Sequence, residues 1–440
     1  MTRAEPADLS AAELAAAIRT RAVSSVEVVT AHLDQIERVN PHIHAVVALS
    51  DTALDDARHA DAALAAGDDV GPLHGVPFTV KDWIETRGLV CAAGYKERAS
   101  YIPGADATVV ARMRAAGAIL LGKTKPGSEP DVHPAPKNPF GLAHTPGASS
   151  SGEAAIIAAR GSPLGIGSDS GGSLRWPAHC CGVATLKPTG GLVPLTGHFP
   201  PIIALTDPRT VIGPLARSVA DLALTLPILA GEDGQDPSVV PVPLGEMASA
   251  EPGALRVAWF TAFDGAQSDA STVAGVADAM CALRERGATV TEAVPPQIDE
   301  SLAITKAYWA RPESMSERTW KPWGKSTLSA DDVERSLFEW HRLRQAFARF
   351  MQSYDLILCP VAPTAAPRRS KAEAEDYVFT LPFSLTGYPV VVVRMGTSSD
   401  GLPIGVQVVA KPFRDHVALA AASLLEASVA PWPAPVLPGN

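Results

Sequence analysis

The sequence predicts an α/β layered fold, and three observations support that class. From residue 71 onward, short apolar runs alternate with helical segments, the order expected when helices pack on a sheet. Apolar strand candidates recur on both sides of the Pro-, Asp- and Gly-rich stretch 233–253, so that stretch reads as a linker or excursion and not as a border between independent units. Hydrophobic residues make up 46% of 440 while aromatics reach only 6%, which suits small-residue helices packed closely on a buried sheet.

The first 65 residues read as helices. Ser10-Ala11-Ala12-Glu13 and Ser24-Ser25-Val26-Glu27 both have the form of a capping box, and Val28, Val29, His32, Leu33 and Ile36 follow the second at helical spacing. A third helix is expected from Asp51 to Gly67. Val76 to Val80 reads as a strand ending at Lys81, Ala107 to Ala116 as a helix, and Ala118 to Leu121 as a buried strand. Residues 125–148, rich in Pro, Gly, Asn and His, read as a surface loop. A helix over Ala154 to Arg160 and a strand over Pro163 to Ile166 follow. Beyond the linker, Leu255 to Phe260 reads as a strand, Thr272 to Arg286 as a helix, and 301–351 as mainly helical. Leu356 to Cys359 and Pro389 to Arg394 complete the strands.

Composition excludes several functions. The net charge is −10 and no Lys/Arg run exceeds two residues, so a nucleic-acid partner is not expected. No stretch of about 18 uninterrupted apolar residues supports a membrane span, and the acidic, interrupted N-terminus lacks a signal core. Five cysteines without framework spacing, at 91, 180, 181, 281 and 359, fit reduced thiols and a cytoplasmic location. No His/Cys/Asp/Glu set has metal-ligand spacing, so neither metal nor cofactor is expected.

The chemistry concentrates in three segments. In Gly167-Ser168-Asp169-Ser170-Gly171-Gly172-Ser173, two glycines before a serine allow a sharp turn whose N–H groups can converge on one oxygen. By itself such a turn is usually an ordinary loop. A serine nucleophile needs a base, and His179 and His198 come without the carboxylate pattern or the elbow sequence of a histidine triad. Lys81, at the end of an apolar strand, is either paired with Asp82 or Asp169 or held neutral by burial. In Ser149-Ser150-Ser151-Gly152-Glu153, Ser150 fits a capping box with Glu153, which leaves the Ser149 hydroxyl uncommitted. Asp169 and Arg175 read as a brace for the turn. Cys180 and Cys181 read as buried thiols. His133, His144 and His198 read as mostly solvated loop histidines near the entrance, and Trp309, Trp320, Trp323 and Trp340 as pocket wall or core.

Together the segments resemble the amidase-signature family. Gly71 to Asp82 resembles its lysine strand, Thr145 to Gly152 its serine-rich segment, and Gly167 to Ala178 its nucleophile segment. The resemblance continues through Cys181-Gly182-Val183, Leu186 to Thr189, Gly213 to Val219, Gly387-Tyr388-Pro389 and Asp400 to Gln407. It implies a large mixed β-sheet with helices on both faces, built as a single domain over 1–440. Within it, 1–65 is a helical layer, 71–230 the catalytic core, and 254–440 completes the sheet and the substrate pocket.

The resemblance also implies a Ser–cis-Ser–Lys triad that cleaves a carboxamide: Ser173 as nucleophile, Ser149 as relay and Lys81 as base. Backbone N–H groups of Ser170, Gly171, Gly172 and Ser173 would form the oxyanion hole, with Asp169, Arg175 and Ser150 in support. Ala148 and Ser151 stand where the family usually has glycine, which leaves Ser150 as an alternative relay. The expected partner is a small-molecule amide, with a homodimer also open. Two other functions stand beside hydrolysis: the amidase subunit of an amidotransferase that supplies ammonia to a partner, and a non-catalytic relative.

Overall fold

In the computed structural model, residues 5–437 are described apart from 128, 130, 203–207, 248–250, 310–312, 315–321, 324–328, 370 and 432. The first part of the chain supplies strands β1 (Val46–Leu49), β2 (Pro77–Lys81), β3 (Ile119–Thr124), β4 (Leu164–Asp169), β5 (Ala184–Lys187) and β6 (Val211–Ala216). The second supplies β7 (Arg256–Trp259), β8 (Thr289–Glu292), the ribbon β9 (Glu313–Ser314) with β10 (Pro322–Trp323), β11 (Leu356–Pro360), β12 (Val390–Thr397) and β13 (Pro403–Ala410).

Apart from the ribbon, these strands form one eleven-stranded sheet in the order β1-β3-β2-β4-β6-β5-β12-β13-β11-β7-β8. The sheet is mixed: β2 runs parallel to β3 and β4, and β7 parallel to β8 and β11. The pairs on the path from β4 through β6, β5, β12 and β13 to β11 are antiparallel. Strands from both sides of the 233–253 stretch therefore share one hydrogen-bonded surface.

Side-chain alternation along the strands explains why both faces are covered. Leu120, Leu356, Leu358, Val391 and Val393 enter one apolar cluster. Their neighbours Ile119, Leu121 and Val392 enter a second, and Ile357, Cys359 and Val390 a third, on the opposite face. The helices are α1 (Ala11–Arg19), α2 (Ser25–Ile43), α3 (Ala53–Ala66), α4 (Thr108–Ala115), α5 (Ser151–Ala158) and α6 (Arg175–Cys181). Then follow α7 (Val219–Leu229), α8 (Ala270–Glu285), α9 (Ser301–Trp309), α10 (Ala330–Phe350), α11 (Leu381–Thr386) and α12 (Asp415–Glu426). The first cluster holds the apolar sides of α1, α4, α7, α8 and α12, the second those of α3, α5 and α6, and the third those of α10 and α11. Among the described residues, no helix is long and apolar enough to cross a membrane.

The expected N-terminal helices form where their caps predict. Ser10 and Ser24 each close a capping box with Glu13 and Glu27. α3 ends at Gly67 in the left-handed conformation. Between α2 and α3 the chain adds β1, a four-residue edge strand too short to leave a sequence signal. Of the four tryptophans, Trp340 is buried and donates from its indole to Leu385 O at 2.7 Å, a core role. Trp320 lies outside the described residues, as do the side chains of Trp309 and Trp323.

One expectation is corrected at α5. Ser150 precedes this helix but makes no capping bond, and the capping box with Glu153 does not form. Glu153 is fully buried beneath β2 and β3, where it accepts the hydroxyls of Thr79 and, at 2.7 Å, Thr124. Two hydroxyls already fixed on the sheet compete better for that carboxylate than the first turn of its own helix. Burial pushes the Glu153 carboxyl up to about 7, against the pull of these hydroxyls and of Lys123 and Lys81. Between the free value of 4.5 and 7 the folded chain thus holds a proton that the unfolded chain releases, and stability falls as pH rises through that window. Glu153→Gln, which cannot ionise, should gain on the parent as pH rises from 4.5 to 7, by an amount on the order of 3 kcal/mol. Urea denaturation at several pH values checks this; a constant difference across the window would contradict it.

Candidate active site

The nucleophile turn is built at the end of a fully buried strand. β4 carries Ser168 and Asp169 to the edge of the sheet core, and the turn 170–174 follows. Asp169 organises it: one carboxylate oxygen accepts Gly172 N–H at 2.7 Å and the other Leu174 N–H at 3.1 Å. The same two oxygens take Arg175 Nη2 and Nε, each at 2.9 Å, and both side chains are fully buried. Burial alone would push Asp169 up, but the Arg175 guanidinium, together with Lys187 and the Leu174 N–H, holds the carboxyl below its usual range. Arg175 also donates to Thr380 O and Ser384 Oγ, both at 2.7 Å, and Thr380 Oγ1 donates to Gly171 O at 2.6 Å. Gly172 has φ +144°, and a Cβ there would strike Thr380 and Tyr377, so only glycine fits. The brace expected of Asp169 and Arg175 is present.

This brace engages one member of the expected ring of N–H donors. The Gly172 N–H is bound to Asp169 and is not available to a ligand. Among the described residues, the N–H groups of Ser170, Gly171 and Ser173 have no acceptor in the chain. Ser170 turns its hydroxyl to Thr210 Oγ1 at 2.6 Å.

Lys81 ends β2 between β3 and β4, so its side chain enters the sheet interior, where it is fully buried. Neither Asp82 nor Asp169 pairs with it. Asp82 instead accepts Ala93 N–H at 2.7 Å. Lys81 Nζ lies 2.6 Å from Ser149 Oγ, 2.9 Å from Ser168 Oγ and 4.0 Å from the centre of the Trp83 ring. Loss of solvent drives its pKa well below the ordinary 10.5, against the more distant attraction of Asp169 and Glu153. Burial at this position therefore favours the neutral amine over the cation.

The serine-rich segment delivers Ser149 to that amine. The resemblance implies a cis bond before Ser149, but the Ala148–Ser149 bond is trans; among the described residues the cis bond is Phe199–Pro200. Gly147, φ +103° and pressed against the Pro177 backbone, makes the turn instead, so Ala148 adopts no geometry reserved for glycine. Ser150 is committed to the backbone of Ser168, donating from Oγ to its carbonyl at 3.1 Å and accepting its N–H at 3.3 Å. Ser150 N–H donates to Ser173 O at 3.2 Å, which stitches the two serine segments together. Ser149 and Ser173 remain half-buried, and the Ser173 hydroxyl makes no hydrogen bond among the described residues.

Two residues enter the site that their sequence context does not mark. Ser168 contacts Lys81 directly; its place on β4, beside β2, is the signal that could have found it. His198 is not a solvated entrance residue: it is 5% exposed, with Nε2 2.9 Å from Ser168 Oγ. His179 is structural, held between Thr364 O and Gly405 N–H at 3.0 Å each. Cys180 and Cys181 are buried and their thiols are pushed up by burial, which excludes a thiolate nucleophile there. Among the described residues, no cluster of His, Cys, Asp and Glu has the geometry to hold a metal ion.

A family model described as Amidase matches residues 27–337 and 319–419. An acylamidase of Rhodococcus erythropolis is 33% identical over 466 residues, spanning 96% of this chain and 96% of that protein. A glutamyl-tRNA(Gln) amidotransferase subunit of Salinispora arenicola is 32% identical over 492 residues, spanning 98% of this chain and 99% of its own. Among solved structures, 6-aminohexanoate cyclic dimer hydrolase complexed with substrate superposes with a TM-score of 0.84 at 28% identity over 98% of both chains.

The Asp169–Arg175 pair yields a direct test. Asp169→Asn leaves a guanidinium buried without its counter-charge and should cost about 3–5 kcal/mol in urea denaturation. A loss below about 1 kcal/mol, the range of an exposed pair, would contradict the bracing role.

Proposed function

Since the chain belongs to the amidase family and is a hydrolase of carbon–nitrogen amide bonds, we propose that it works through an acyl-enzyme on Ser173, with Lys81 as base acting through Ser149. The observation that carries this reading is the Lys81 amine, buried without a carboxylate and in contact with the Ser149 hydroxyl at 2.6 Å. A hydroxyl is a weak nucleophile until its proton has somewhere to go, and an amine kept neutral by burial accepts one at neutral pH.

In the first step Ser173 Oγ attacks the substrate carbonyl while its proton passes to Ser149 Oγ, whose own proton moves to Lys81 Nζ. Rotation of the half-buried Ser173 side chain towards Ser149 as substrate enters would complete that chain. The carbonyl oxygen takes the negative charge, and the Ser170, Gly171 and Ser173 N–H groups are the donors free to receive it. As the tetrahedral intermediate collapses, the proton returns from Lys81 through Ser149 to the departing nitrogen, and the C–N bond breaks. Water then attacks the ester under the same base, which restores Ser173 and releases the acid. Five free cysteines support a reducing compartment, and we place the enzyme in the cytoplasm on that ground.

A second reading, an amidase component that feeds ammonia to a partner, draws on the full-length similarity to an amidotransferase subunit. The isolated chain decides between them. Against a panel of primary, anilide and cyclic amides it should release ammonia or amine unaided; turnover only after addition of a partner protein would favour the second reading.

Ser173→Ala and Lys81→Ala should each lower kcat by about 10⁴-fold or more. Ser149→Ala should cost more in kcat than Ser150→Ala, whose main effect should be on stability; the reverse order would make Ser150 the relay. The pH profile follows from the sign of the Lys81 shift. The active form is unprotonated, so kcat/KM should reach its plateau well below 10.5 and decline as pH falls through the lowered pKa. A rate still rising steeply towards about pH 10 would mean that Lys81 is an ordinary cation.

A further inference from the structure

We propose that His198 is a positioning residue that sets the direction of the hydrogen-bond chain through Ser168, so that the Lys81 lone pair is left facing Ser149. The inference rests on the catalytic reading above and adds a residue to it. Residues 197–199 run as a short bridge beside 83–85: Ile84 pairs with His198, Glu85 N–H donates to Gly197 O at 2.8 Å, and Phe199 N–H donates to Trp83 O at 2.6 Å. This fixes the imidazole behind Lys81, edge-on to the Trp83 ring at 6.0 Å.

Proton counting gives the direction. His198 Nδ1 lies 3.0 Å from Pro200 O, and a carbonyl oxygen can only accept, so Nδ1 carries a hydrogen. In the neutral ring Nε2 is then the acceptor, and its neighbour at 2.9 Å is Ser168 Oγ. Ser168 has one proton. Given to His198, it leaves the Ser168 oxygen only as an acceptor towards Lys81 Nζ, also at 2.9 Å. A neutral amine has two hydrogens and one lone pair. One hydrogen goes to Ser168 Oγ and one meets the face of Trp83, 4.0 Å from Nζ. The lone pair is left for the Ser149 hydroxyl at 2.6 Å, the direction in which the proposed proton transfer runs. Without the acceptor at His198, Ser168 is free to donate to Lys81 and occupy that lone pair.

The contrast of two variants tests this in the full chain. In His198→Asn the new side chain is too short to reach Ser168, while its amide keeps a donor near Pro200 O. The loop bond is therefore kept and the bond to Ser168 is lost. His198→Gln restores an acceptor at the reach of Nε2. We expect His198→Asn to lower kcat by about 10- to 100-fold with KM little changed, and His198→Gln to recover most of that loss. On a Ser168→Ala background the same His198→Asn change should cost nothing further, because the chain is already cut. Should His198→Asn fail to fold by thermal unfolding, His198→Leu, which fills the ring's space without an acceptor, takes its place. An unchanged kcat in the folded variant, equal losses in the Asn and Gln variants, or a loss that simply adds to that of Ser168→Ala would each overturn the proposal. Ser173→Ala and Lys81→Ala run in the same assay separate the two levels. Retained turnover there removes the catalytic reading itself, whereas their loss beside an unaffected His198→Asn removes only the role of His198.

Discussion

An ammonium group taken out of water without a counter-charge costs several kcal/mol, and at Lys81 that cost shifts the balance towards the neutral amine. The surroundings of Lys81 follow from this. Its direct partners are hydroxyls and an aromatic face, not carboxylates, and the more distant pull of Asp169 and Glu153 does not offset the loss of solvent. The carboxylates that do lie in the region are occupied: Asp169 by Arg175 and the turn, Glu153 by Thr79 and Thr124. The central position of β2 holds the amine in place, because a strand hydrogen-bonded on both sides cannot carry its last side chain back to solvent.

The same low dielectric serves the opposite purpose at the neighbouring turn. Asp169 and Arg175 satisfy each other with two hydrogen bonds and both have further partners, the conditions under which a buried pair holds its geometry. That pair fixes the turn presenting Ser173, and Ser150 fixes the turn presenting Ser149. The two hydroxyls that remain half-buried are thus borne on backbones with little freedom to move. Rigidity is placed in the supports of the two serines.

Much of this is legible in the sequence wherever the signal is local. Capping boxes at Ser10 and Ser24, the apolar strand before Lys81, and the Gly-Gly-Ser turn all depend on residues within a few positions of one another. The failures share a physical cause, competition from distant partners. Ser150 and Glu153 have the spacing of a capping box, yet Thr79 and Thr124 claim Glu153, and Ser168 claims Ser150. Gly172 has the freedom to offer its N–H to a ligand, yet Asp169 takes it. His198 looks like a loop histidine until the bridge to 83–85 carries it behind Lys81, which is distant in sequence. The capping box that would separate Ser149 from Ser150 does not form, but the separation itself stands, because Ser150 is committed by other bonds.

Everything at the site turns on Lys81 being an amine base and not a cation, and its titration can be observed directly. With lysines labelled at Cε with ¹³C, the Lys81 resonance is identified by its loss in Lys81→Arg and followed across pH by NMR. The expected result is the chemical shift of a neutral amine at and above neutral pH, with a midpoint well below that of the exposed lysines. A Lys81 resonance that titrates with the exposed lysines, near 10.5, would contradict it.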